Sequence, residues 1–287
     1  KRVKKKGTEI RIALKGLQGG HSGVDIDKNR TNANILMGKI LYFAKAEFDI
    51  DIISVDGGDK ANAIPNASVA YIATQNPDAA GKIKEFAALK KEEIYETEPE
   101  LVCEISAGDT GEFEVLENSL CENLVFALSC IPDGIMEMSS EIDGLVETSL
   151  NLGILQTGET EIVMHSALRS NKKAGLIDLE NKMKAFASKI SAKVETFGHY
   201  PPWEFKADSD LQELYKEKYK EKFGAYPLVE AIHAGLECGM FAEGISGIDC
   251  ISIGPEMHDV HTTKERLSVS STEKIFDLVK NVLAALR

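Results

Sequence analysis

Residues 254–267 read Gly-Pro-Glu-Met-His-Asp-Val-His-Thr-Thr-Lys-Glu-Arg-Leu. An imidazole flanked by acidic groups can bind a metal ion, and His261 is the candidate ligand. His258, three residues earlier, could pair with it, but the intervening residues form no clear helix, so it reads as a surface residue. The tract follows an apolar run, Asp249–Ile253, with the look of a buried strand, and precedes an amphipathic helix at about 271–286. The exit of a strand is where open α/β sheets place their chemistry. One histidine cannot hold a metal alone, and the plain alternative for His261 is a solvated loop position.

Four further residues have chemistry to offer. His21 lies in Gly19-Gly20-His21-Ser22-Gly23, where glycines permit a tight turn from which the imidazole protrudes. The alternative is a strand-to-helix connection capped by Ser22 or Asp25. Arg169, at the end of a strand, could clamp a carboxylate in bidentate fashion or simply be solvated. Asn151, within Ser149-Leu150-Asn151-Leu152-Gly153, reads as a hydrogen-bonding site residue or an exposed polar one. Glu237 could be a ligand, a supporting group or a helix-capping charge, and a helix would place it on one face with His233. The tract is not HExxH, and P-loop, dinucleotide-binding and GxSxG signatures are absent from the sequence.

Periodicity predicts the elements that must position these groups. Strands are expected at Glu9–Leu14, Asp49–Val55, Ala67–Ala73 and Glu100–Ser106, with helices at Asn32–Phe48 and Asp78–Tyr95. The order β-α-β-β-α-β is the ferredoxin-like pattern. A helix at about 117–130, strands Val146–Leu155 and Thr160–Leu168, a helix Leu176–Ile190 and a strand Lys193–Phe197 would extend the same sheet. The Pro201-Pro202 stretch marks a domain boundary near residue 200. Beyond it come a helix Ser209–Phe223, a strand near Leu228–Glu230 and the closing pieces of a small α/β unit. The divisions are thus 1–8 as the remnant of a preceding segment, 9–200, and 201–287, within an α/β class with an α+β first part.

The chain has 287 residues and a formal net charge of −13, which argues against nucleic acid and an anionic membrane surface. Five cysteines without CxxC spacing fit reduced thiols in the cytoplasm. Lys1–Lys6 is strongly basic, but no apolar core follows it, so it is not a signal peptide. With no initiator methionine, the chain is expected to begin inside a longer one.

Gly16–Asn34, Ser149–Gly153, His233–Gly239 (HAGLECG) and Ile253–Leu267 together resemble the M20 metallopeptidases, in the aminoacyl-histidine dipeptidase branch. The resemblance implies a ferredoxin-like lid and dimerisation domain over 9–200, and the C-terminal part of a catalytic α/β domain over 201–287. It implies metal-dependent hydrolysis of dipeptides, with Xaa-His preferred, by a cytoplasmic homodimer carrying a two-zinc site. Residue by residue, it makes His261 a metal ligand and His21 a lid histidine that stabilises the oxyanion in the partner subunit. Arg169 becomes the clamp on the substrate carboxylate, Asn151 a polar residue near substrate, Gly254 a backbone contact, and Glu237 a residue near the pocket. The family's other metal ligands and its general base have no match in 1–287, so the chain is expected to be an inactive piece. The alternatives are another M20 hydrolase, such as an acylase or tripeptidase, and a non-catalytic dimerising or ligand-binding module.

Overall fold

The computed structural model describes residues 1–204, 206, 208–233, 236–258 and 264–286. The chain divides into two units: Lys1–Phe197 with Ile232–Ala234, and Gly198–Ala231 with Gly235–Arg287.

In chain order the first unit contains β1 (Arg2–Lys15), β2 (Gly20–His21), α1 (Ala33–Phe48), β3 (Asp51–Gly57), β4 (Ala63–Ile64), β5 (Ser68–Thr74), α2 (Ala79–Glu93) and β6 (Val102–Leu116). These are followed by α3 (Asn118–Cys130), β7 (Gly134–Met138), β8 (Val146–Thr157), β9 (Ile162–Ser170) and α4 (Lys173–Lys189). The main sheet has seven strands in the order β6-β1-β5-β3-β8-β7, with β9 on β8, and its pairings are antiparallel. The run β6-β1-β5-β3 is the ferredoxin-like order, and β7 to β9 extend it.

Alternating apolar residues on β1 (Ile10, Ile12 and Leu14) are buried, as are Leu36, Met37, Ile40 and Leu41 of α1. They meet Ile52, Ile72 and Ile83 in one core. Each such side chain contributes about 1.5–3 kcal/mol when fully buried. Phe43 stacks on Phe86 of α2 with ring centroids 4.2 Å apart, which ties the two helices over the sheet.

Several elements differ from the sequence reading. β1 begins at Arg2, so the basic residues belong to the strand itself. Lys4 pairs with Glu112 of β6 at 3.6 Å and Lys5 with Asp51 of β3 at 2.7 Å, so other strands of the sheet supply the opposite charge. β6 runs past the expected end at Ser106 to Leu116, because the first half of β1 pairs with it past a register shift. β7 carries no strong apolar alternation and was not anticipated. Residues Lys193–Phe197 form no strand; they are exposed, with no sheet face to bury them.

The second unit contains α5 (Asp210–Phe223), α6 (Glu237–Gly244), a two-residue pair β10 (Met257–His258) with β11 (Arg266–Leu267), and α7 (Val269–Ala285). Tyr215 of α5 packs with Leu278 and Val282 of α7. Asp249–Ile253 is not a strand. Asp249 instead accepts hydrogen bonds from Ser209 Oγ at 2.8 Å and Leu211 N at 3.0 Å at the start of α5, while Ile251 packs against the helix pair. The expected strand near Leu228–Glu230 is likewise irregular and exposed. A strand needs a partner ladder for its backbone groups, and neither segment has one among the described residues.

A buried polar network joins α1 to β8. Asn32 caps α1 by accepting from Asn34 N at 2.9 Å, while its Nδ2 donates to Asp133 Oδ1 at 2.9 Å and Leu152 O at 3.1 Å. Asp133 Oδ1 also accepts from Leu152 N at 2.8 Å. Burial, opposed by these two hydrogen bonds, pushes the Asp133 carboxyl up to about 6. A carboxyl raised on folding contributes most below its unfolded value of 3.8, and the contribution is lost as pH climbs through about 6. Asp133→Asn keeps the accepting oxygen and removes the titration. Relative to that variant, the natural protein should lose up to about 3 kcal/mol of stability between pH 4 and 7. Urea unfolding of both proteins across that range checks this; parallel curves would show that Asp133 is not strained by its charge.

Candidate functional site

The Gly16–Asn34 segment folds as a loop held at both ends. Glu98, fully buried, accepts from Gln18 N through one oxygen and Thr31 N through the other, both at 2.8 Å. Within the loop, β2 pairs with β4 so that His21 lies opposite Ala63. Asp25 does not cap a helix; its carboxylate turns back to accept from His21 N at 2.8 Å. Lys28 and Arg30 flank that carboxylate and, with the backbone bond, hold it below the usual carboxylate range against the cost of burial. Gly20 has φ +144°, and a Cβ there would run into Arg30 and Asp25, so the turn that presents His21 requires glycine.

The His21 ring is oriented by its own turn. Nδ1 accepts from Gly23 N at 3.2 Å and Val24 N at 3.0 Å. A nitrogen that accepts two backbone N–H groups cannot carry the proton, which places it on Nε2. His21 is therefore set to donate a hydrogen bond through Nε2, the polarity that stabilises a developing oxyanion.

Arg169 lies on β9 and donates through Nε to Ser22 Oγ at 3.4 Å, so it meets the residue that follows His21. Burial pushes its pKa down, and no carboxylate among the described residues offsets this. A partly buried guanidinium without an anion can receive one. Opposite Arg169 in the strand register stands Ser149, whose Oγ is 2.7 Å from His233 Nε2. His233 is buried, and its pKa is pushed down to about 4 by burial and by the charge of Arg169.

Asn151 is neither exposed nor free for a ligand. It is 1% exposed; its Nδ2 donates to Ala61 O at 3.3 Å and Ala63 O at 2.8 Å, and its Oδ1 accepts from Asn32. It bears on the site indirectly, by fixing the strand that pairs with His21. Glu237 is the first residue of α6, exposed, where a negative charge suits a helix N-terminus. His233 precedes that helix, so their spacing of four does not put them on one helical face. Gly254 lies in irregular backbone with open space where a side chain would stand. His258 is exposed in β10, and His261 lies outside the described residues.

The fold links the two sequence candidates His21 and Arg169 through Ser22, and adds Glu98, Ser149 and the buried His233 around them. The signal for His233 was its position in HAGLECG; Glu98 and Ser149 had none, since a buried carboxylate or hydroxyl looks like any surface one in a lone sequence. Among the described residues no group of three or more His, Cys, Asp or Glu side chains is placed to hold a metal ion. Nor is any helix among them long and apolar enough to cross a membrane.

Residues 12–98 match the family model M20_dimer, described as the peptidase dimerisation domain. A cytosol non-specific dipeptidase of Escherichia coli strain K12 is 30% identical over 277 residues, which covers 96% of this chain and 57% of that protein. The crystal structure of aminoacylhistidine dipeptidase from Vibrio alginolyticus aligns at a TM-score of 0.89 and 31% identity, covering 99% of this chain and 59% of that one. The chain spans somewhat more than half the length of these relatives. The chain is thus similar to these dipeptidases over part of their length, and its residues 12–98 match the dimerisation domain of the M20 peptidases.

Proposed function

We propose that the full-length protein to which this chain belongs is a cytoplasmic, homodimeric dipeptidase that cleaves Xaa-His dipeptides. The observation that carries the reading is the pairing of a fixed imidazole donor, His21 Nε2, through Ser22 with the guanidinium of Arg169, which faces no carboxylate among the described residues. In this reading Arg169 holds the substrate carboxylate with its terminal nitrogens, and His21 donates to the carbonyl oxygen as it gains charge in the partner subunit's site. Such a donor contributes about 3 kcal/mol to the transition state. Residues 9–200 act as the lid and dimerisation domain, and 201–287 as the C-terminal part of the catalytic domain.

The family's two zinc ions need several ligands. The described residues do not supply such a set. We assign one zinc ligand to this chain, His261, and a place near the substrate to Gly254 and Glu237. Asn151 supports the site without touching substrate. On this reading the remaining ligands lie outside residues 1–287, and the chain alone is expected not to hydrolyse dipeptides.

In the full-length enzyme, His21→Ala should lower kcat on an Xaa-His dipeptide about 10²-fold with little change in KM. Arg169→Met should raise KM about 10-fold or more for the dipeptide and leave KM for its C-terminal amide unchanged. Wild-type kinetics in both variants would sink the reading, and preference for N-acyl amino acids would redirect it to an acylase. A separate assay of residues 1–287 with added zinc should show no hydrolysis; measurable turnover would refute the assignment of the remaining ligands elsewhere.

A further inference from the structure

We infer that His233 is a positioning residue that fixes the His21 turn and the Arg169 strand in one arrangement. The inference rests on the proposed function and names a further residue of the same site. His233 is 6% exposed and belongs to the first unit, at Ile232–Ala234. Its ring is hydrogen-bonded to Ser149, itself 1% exposed, and Ser149 is the register partner of Arg169. Its backbone carbonyl faces the other element: a Cβ on Gly23 would lie 2.4 Å from His233 O. Gly23 is also one of the two residues whose N–H groups orient the His21 ring. One residue therefore touches the support of both proposed substrate contacts.

The choice of side chain argues against a simple core plug. His233 Nδ1 is buried toward the Val146 backbone without a well-formed hydrogen bond, and the ring sits within reach of the charge on Arg169. An apolar side chain of like size would fill the space with no polar nitrogens to satisfy. What histidine adds is a directed bond to Ser149, which locks the strand position opposite Arg169. Burial and the nearby guanidinium keep the ring neutral at physiological pH, so it adds no repulsion to the cation it helps to place.

The test is a double-mutant cycle in the full-length enzyme with an Xaa-His dipeptide. His233→Phe and Ser149→Ala should each raise KM about tenfold, the value of one lost hydrogen bond, with both variants still folded at the assay temperature. Neither should add to the loss caused by Arg169→Met, because both act through that residue. His233→Gln, which keeps a polar group toward Ser149, should recover most of the affinity. Unchanged KM in Ser149→Ala and His233→Phe while Arg169→Met raises it would overturn the inference and leave the proposed function standing. Multiplicative losses with Arg169→Met would overturn it too, by showing a structural effect independent of the guanidinium. Wild-type KM in Arg169→Met would remove the proposed function and this inference with it.

Discussion

The hydrogen bonds that join Asn32, Asp133 and Asn151 are the constraint on which the first unit depends. Asn32 starts α1 and binds β8 with the same side chain. Asn151, one strand position from Leu152, carries the link to Ala61 and Ala63. Ala63 is the register partner of His21. A chain of buried amides thus runs from the sheet extension to the turn that presents an imidazole. Such a network rigidifies when satisfied and is costly when one member is lost. That is why the position of His21 is a property of the whole layer and not of its loop. The outer end of the loop has its own restraint in Glu98, whose two oxygens each take one backbone N–H.

The legible part of the fold is where a single local rule decides. The amphipathic spacing of Ala33, Leu36 and Ile40 located α1, and the βαββαβ order implied the ferredoxin-like sheet that β6, β1, β5 and β3 form. Where partners decide, the sequence misled. Lys4 and Lys5 read as a flank because their counter-charges, Glu112 and Asp51, lie far away in sequence. Asp249–Ile253 looks like a strand by composition, yet its aspartate is a cap and its isoleucine a packing residue for α5 and α7. Asn151 shows the same limit within the site. A mid-strand asparagine has a polar signature whether it faces solvent, a ligand or two buried carbonyls, and only the fold separates these.

Arg169 and His233 show how the site departs from the rules that govern the core. A buried cation normally finds a carboxylate, and a buried imidazole normally satisfies both nitrogens. Among the described residues Arg169 meets a hydroxyl and no carboxylate, and Nδ1 of His233 faces the Val146 backbone without a well-formed hydrogen bond. Both departures are destabilising, and they meet at one register pair, where Arg169 stands opposite the Ser149 that bonds His233. The cost is rational if the missing partner is an anion that arrives with a ligand, since binding then restores what folding left unpaired. Placing the carboxylate in advance would stabilise the free protein and close the site. On the proposed reading, the same unpaired guanidinium explains selectivity: an amide in place of a carboxylate leaves the cation unneutralised. The seven-stranded sheet sets the register of this strand pair, and the His21 turn closes against it through Ser22. The extension of the ferredoxin-like sheet by β8 and β9 is therefore what gives this unit a partly buried cation linked to the His21 turn.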